Sequence, residues 1–175
     1  MRYFFQAGNP RIWPICLPKQ SVADKDHLKF RSTQVVGYGP SIDKQKQVLT
    51  ILDLTINSIS ICNETYTVQR SHKDYFGIEE SMPHKFNGGS VVCAGRYGSN
   101  AGTCRGDSGS PALFFDGHSN HQIAVVHGNI RDCDGSQFPN ILVRLDNPEV
   151  LNWIRKVTAG TNFHSYRKEK IDSPS

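Results

Sequence analysis

The sequence has no Cys-x-x-Cys pair, although it carries five cysteines: Cys16, Cys62, Cys93, Cys104 and Cys133. Structural zinc sites draw on such pairs, so no metal site is expected, and no cofactor either. No apolar run approaches the about 18 residues that a membrane-crossing helix needs, so a membrane partner is not expected. Internal repeats are absent. The net charge of +4 comes from scattered basic residues with no nucleic-acid motif beside them, which argues against a nucleic-acid partner. The first residues, MRYFFQAGNPRIWP, lack the apolar stretch of a secretion signal.

What is present fits one compact domain. The 175 residues suffice for a single core, and 15 glycines with nine prolines imply many turns. Wide cysteine spacing without metal-ligand pairs suggests disulfides and hence an extracellular protein. An odd cysteine count leaves one thiol seeking a partner elsewhere. Disulfides without a signal are contradictory, and a segment upstream of this sequence resolves the contradiction most simply.

Prolines at Pro10, Pro14 and Pro18 make residues 1–30 an extended connector. Short β-branched runs between turn signals then predict strands at Thr33–Tyr38, Gln47–Ile56, Val91–Ala94, Pro111–Phe115, Gln122–Gly128 and Ile141–Leu145. The polar turn Asp116–His121 makes a hairpin of the fourth and fifth. A short helix is expected from about Thr55 to Thr65, ending near Cys62. A second runs from Pro148 to about Val157, capped by Asp146 or Asn147. Its stripe of Val150, Leu151, Trp153, Ile154 and Val157 is expected to pack on the core. From residue 159 to 175 the chain is polar, as expected of a mobile tail. The organisation is therefore a connector (1–30), an all-β unit with a closing helix (31–158) and a tail (159–175).

The stretch GTCRGDSGSP, Gly102 to Pro111, carries the chemistry. A serine hydroxyl is a weak nucleophile at neutral pH and needs a base. Flanking glycines let the backbone turn sharply, so the N–H groups of Gly106 and Ser108 can point to one spot. Such donors stabilise an oxyanion by about 3–4 kcal/mol each. By itself, Gly106-Asp107-Ser108-Gly109 is equally a simple turn.

The surrounding segments add to it. WPICLP (Trp13 to Pro18), VVGYG (Val35 to Gly39), Cys62 with Tyr66, VVCAG (Val91 to Gly95), VVHGN before Cys133, and PEVLNWI follow in order. Together with the serine loop, this series resembles the trypsin/chymotrypsin family of serine proteases from about Trp13 to Ile154. The resemblance implies an antiparallel six-stranded β-barrel, the second barrel of the family's double-barrel domain, closed by a C-terminal α-helix. It implies a serine-type endopeptidase acting on polypeptides, with Ser108 as nucleophile. Gly106 would be an oxyanion donor, and Asp107 the ion-pair partner of an N-terminus made by activation.

The resemblance also implies the bridges Cys62–Cys93 and Cys104–Cys133. Cys16 matches a cysteine that bonds a segment upstream, so it is expected to be unpaired within this sequence. A third family bridge has its two positions occupied by Thr33 and Phe114, so both halves are absent together. Substrate-pocket positions map to Gly102, Thr103, Arg105, Val126, His127, Gly128 and Asn140. Gly102 offers no carboxylate at the pocket base for Lys or Arg. Asn140 stands where a small residue is usual and would narrow or block the pocket. Val126 and His127 replace Ser-Trp, and Ser110 replaces a second glycine. Asn63-Glu64-Thr65 is a glycosylation sequon, with Asn63 as its acceptor.

The family's catalytic histidine and aspartate belong to the first barrel, before PICLP. No matching context surrounds any of the seven histidines (His27, His72, His84, His118, His121, His127, His164). The first barrel is thus the expected missing partner, joined through Cys16. A non-catalytic homologue, serving as a binding or regulatory module, is the alternative.

Overall fold

In STQVVG Ser32 and Gln34 are exposed and Val36 half-buried while Thr33, Val35 and Gly37 are buried, the two-residue period of a half-buried strand. This is β1 (Ser32–Gly37), the first element of a computed structural model that describes residues 15–18, 28–40, 48–70, 85–95, 102–128, 133 and 139–158. The others are β2 (Thr50–Asn57), α1 (Ile59–Arg70), β3 (Val91–Gly95), β4 (Pro111–Phe115), β5 (Asn120–Gly128), β6 (Asn140–Arg144) and α2 (Pro148–Thr158). The tail from residue 159 and most of the connector lie outside the described residues.

The six strands close into an antiparallel barrel in the order β1-β2-β3-β6-β5-β4, with β4 returning to β1. Closure leaves no sheet edge unpaired. Side chains from every strand fill the interior, among them Val35, Leu54, Ile56, Val92, Ala112, Ala124, Val126 and Leu142, with Leu28 added from the chain before β1. Small residues such as Ala94, Ala112 and Ala124, all fully buried, leave room inside the barrel for the leucines. The expected all-β barrel with a C-terminal helix is the fold found.

Cys62 and Cys93 are bonded, and so are Cys104 and Cys133. Both pairings are those expected. The first ties α1 to β3 beside Ile141, with Ile59, Tyr66 and Phe86 packed around it. Thr33 and Phe114 lie on the neighbouring strands β1 and β4. β1 and β4 pair Gln34 with Leu113, so one further step sets Thr33 opposite Phe114. The Thr33 hydroxyl donates instead to the Leu113 carbonyl at 2.8 Å.

Three expectations need correction. Thr55 to Asn57 are strand, not helix: they continue β2 against Gly95, Ala94 and Cys93, and α1 begins only at Ile59. The pairing with β3 outweighs the local pattern. β5 starts at Asn120, inside the expected turn, because Asp116 closes the hairpin early by accepting from the amides of His118 and Ser119, both at 2.8 Å. Lastly, the apolar stripe of α2 does not pack as expected. Leu151 is buried and Val150 and Ile154 are half-buried, but Trp153 is 64% and Val157 58% exposed. Asn147 rather than Asp146 caps this helix, accepting from Glu149 N at 2.8 Å. Asp146 is engaged elsewhere, in a buried ion pair with Arg144 at 2.6 Å.

Candidate active site

The loop from Gly102 to Ser110 is built from two consecutive turns. Asp107 N donates to Cys104 O at 3.0 Å, and Ser110 N donates to Asp107 O at 2.9 Å. The third residue of each turn is a glycine at positive φ, Gly106 at 97° and Gly109 at 88°. Turns of this shape require that conformation there, and a side chain would strain it. The Gly-Asp-Ser-Gly order thus has a local cause, and it leaves Ser108 on an exposed crest between the two glycines.

The amides divide in a telling way. Those of Asp107, Gly109 and Ser110 are committed to Cys104, Val126 and Asp107 carbonyls. Among the described residues, those of Gly106 and Ser108 have no acceptor. These are the two donors assigned to an oxyanion.

The loop is anchored at several points. The Asp107 carboxylate accepts from Gly39 N at 2.8 Å through Oδ1 and from Cys104 N at 2.9 Å through Oδ2. It packs so closely on the end of β1 that a Cβ at Gly37 or Gly39 would meet it at 2.3 or 2.5 Å. The disulfide to Cys133 holds Cys104, and Cys133 N donates to Thr103 O at 3.2 Å. On the other side, Gly109 N and Ser110 O bond Val126, both at 2.9 Å. A cavity of about 130 Å³ lies beside Asp107, lined also by Val35, Gly37, Gly39, Pro40, Thr50, Leu52, the Cys104 and Cys133 pair, and Gly102, which the sequence had placed at the substrate pocket.

β5 carries a bulge next to the serine. Val126 pairs with Leu142 and Gly128 with Ile141, so His127 is the extra residue. Bulges re-aim the backbone they interrupt, and here the His127 carbonyl accepts from Ser108 Oγ at 3.3 Å. The His127 side chain is exposed, while Val126 points into the core. Arg105 is exposed at the first turn, and Gly128 ends β5. No imidazole among the described residues bonds Ser108. His121 pairs instead with Asp116 at 2.9 Å on the far hairpin. His27, His72, His84 and His164 lie outside the described residues.

Asn140, the first residue of β6, has no exposed surface. Its Oδ1 accepts from both Thr103 N (2.9 Å) and Thr103 Oγ1 (2.8 Å), and its Nδ2 donates to Ala94 O at 3.0 Å. The sequence flagged Asn140 by its size but missed Thr103 and Ala94 as its partners, which lie 37 and 46 residues away. It likewise missed Gly39 N as the partner of Asp107, for which the Gly-x-Gly at the end of β1 is the available signal.

Two further sites were expected. Cys16 is exposed and unpaired, and its carbonyl accepts from Gln122 N at 2.9 Å. Asn63, on α1, clasps the backbone of Phe86: Oδ1 accepts from Phe86 N at 2.7 Å, and Nδ2 donates to Phe86 O at 3.4 Å.

The fold is thus a closed antiparallel barrel bearing a glycine-bracketed serine with two uncommitted amides beside it. The sequence profile of the Trypsin family matches residues 6–154, and the chain belongs to that family. It is similar to the clotting factor G beta subunit of Tachypleus tridentatus, 27% identical over 90% of this chain and 48% of that protein. It also resembles melanization protease 1 of Drosophila melanogaster, 29% identical over 82% of this chain and 33% of that protein. Coagulation factor XII of Rattus norvegicus is 22% identical over 86% of this chain and 23% of that protein. The chain thus spans less than half the length of these relatives.

Proposed function

We propose that this chain is the serine-bearing half of a serine-type endopeptidase acting on polypeptides. The observation that carries the proposal is the pair of uncommitted amides, Gly106 and Ser108, flanking an exposed Ser108 hydroxyl. In the acyl-transfer reaction, Ser108 Oγ adds to a peptide carbonyl carbon and its proton passes to an imidazole. The two amides hold the oxyanion. Collapse breaks the C–N bond, and the amine leaves with the proton. Water then cleaves the ester and restores the serine.

The imidazole and its aspartate would come from a first barrel encoded upstream, linked through the exposed Cys16. Asp107 borders a cavity whose apolar lining and single carboxylate suit an amino terminus released by activation. Two disulfides support an extracellular location.

A second reading, a non-catalytic binding module, is favoured by Asn140, which is buried in the region a substrate side chain would enter. The deciding experiment is to extend the transcript upstream, express the whole protein and assay peptide hydrolysis. The endopeptidase reading expects turnover that Ser108→Ala abolishes. A complete, folded protein without turnover would establish the binding module.

A further inference from the structure

We propose that Asn87 is a self-modifying site. Its side-chain amide is converted to a carboxylate through a cyclic imide formed with the backbone nitrogen of Gly88.

Asn87-Gly88-Gly89 leads into β3 through a turn. The backbone there is held from both sides. Asn63 clasps Phe86 just before it. Just after it, the buried Arg144 donates through Nη1 to Gly88 O at 2.9 Å, and Asn147 Nδ2 donates to Gly89 O at 2.8 Å. The Asn87 carbonyl accepts from Ser90 N at 2.8 Å and from Val91 N at 3.0 Å. The Asn87 side chain is exposed and folds along this fixed turn, with Oδ1 accepting from Gly89 N at 2.9 Å. That bond sets the side chain alongside the Gly88 peptide it spans, the proximity that ring closure needs.

The surroundings suit attack by the Gly88 nitrogen. Among the described residues Gly88 N donates to no acceptor, and glycine puts no side chain over it. The Gly89 N–H already points at Oδ1, where the negative charge of the tetrahedral adduct develops, and so stabilises it. Asn87 Nδ2 bonds nothing among the described residues, so the leaving group is free to depart into solvent. Gly88 N gives its proton to solvent as it bonds Asn87 Cγ. Collapse then breaks the Cγ–Nδ2 bond and expels ammonia. Water opens the imide at either carbonyl: at Cγ to leave aspartate, or at the main-chain carbonyl to leave isoaspartate and a backbone longer by a methylene. Water is consumed, ammonia is released, and nothing is oxidised or reduced.

The test uses the full 175-residue chain with its disulfides formed, incubated in neutral buffer once slow exchange of the β3 amides shows an intact barrel. A second sample is incubated unfolded in urea. Peptide mapping by mass spectrometry follows amide loss at Asn87, and electron-transfer fragmentation separates isoaspartate from aspartate. We expect Asn87 to convert in the folded chain at least as fast as in the unfolded one, with isoaspartate among the products. Gly88→Ala should slow conversion in the folded chain about tenfold, a barrier higher by about 1.4 kcal/mol, because its methyl shields the nitrogen. That methyl would meet Ile59 at 3.5 Å, an ordinary contact, so the variant keeps the fold. Slower conversion in the folded chain than in the unfolded one would overturn the proposal, since the turn would then shield Asn87. Aspartate without isoaspartate, or an unchanged rate in Gly88→Ala, would overturn the cyclic route and the proposal with it.

Discussion

The carboxylate of Asp107 and the backbone amide of Gly39 are joined across 68 residues of sequence, with Oδ1 accepting at 2.8 Å. This contact sets the serine loop on the end of β1. It also forbids a side chain at Gly39, where a Cβ would lie 2.5 Å from three carboxylate atoms. Asp107 cannot withdraw without releasing Cys104 N as well. Gly39→Ala should therefore lower stability by about 1–3 kcal/mol. Denaturant unfolding with the disulfides intact measures it, and an unchanged midpoint would show that the carboxylate moves freely.

The bridges Cys62–Cys93 and Cys104–Cys133 span 31 and 29 positions. Replacing either pair by serine should cost about 3–4 kcal/mol, the loop-closure value for that length. Cys16→Ser should leave stability unchanged, since the contact there is made by the backbone carbonyl. Non-reducing peptide mapping should find Cys16 alkylated in the isolated chain and the other four cysteines protected.

Asn63 has a structural role that is separable from its sequon. Asn63→Ala removes the acceptor for Phe86 N and should destabilise by about 1–2 kcal/mol. Asn63→Asp keeps that acceptor while abolishing the sequon, so its stability should stay near wild type. A difference in mass between secreted wild type and Asn63→Asp beyond the substitution itself would reveal a glycan.

Asp116 is held at a pKa of about 2, below its ordinary 3.8, chiefly by the Ser119 amide, then by the His118 amide and the His121 ring. A depressed carboxylate stabilises the fold fully above its unfolded pKa and loses that contribution as pH falls through the folded one. Asp116→Ala should thus be less stable than wild type at neutral pH, with the gap closing between about pH 4 and 2. Thermal unfolding across that range checks it, and a constant gap would contradict it.

The isolated chain should label only slowly with a serine-directed fluorophosphonate, because Ser108 Oγ donates to the His127 carbonyl rather than to an imidazole. Rapid stoichiometric labelling at Ser108 would mean that the chain itself supplies a base.

The sequence by itself determined the strands, the second helix, the serine loop and its glycines. These are local matters: two-residue alternation selects a strand, and a positive φ selects glycine. Its ordered segments also fixed the family, and with it both disulfides. Tertiary structure alone decided what depends on distant partners. β3 held Thr55–Asn57 in β2 and moved the start of the expected helix to Ile59. The α2 stripe, apolar by pattern, stayed largely exposed because periodicity records a face and not whether anything covers it. Asn140 was legible only as a large residue in a place for a small one. Its meaning came from Thr103 and Ala94, which approach it only when β3 and β6 pair and the serine loop folds over them.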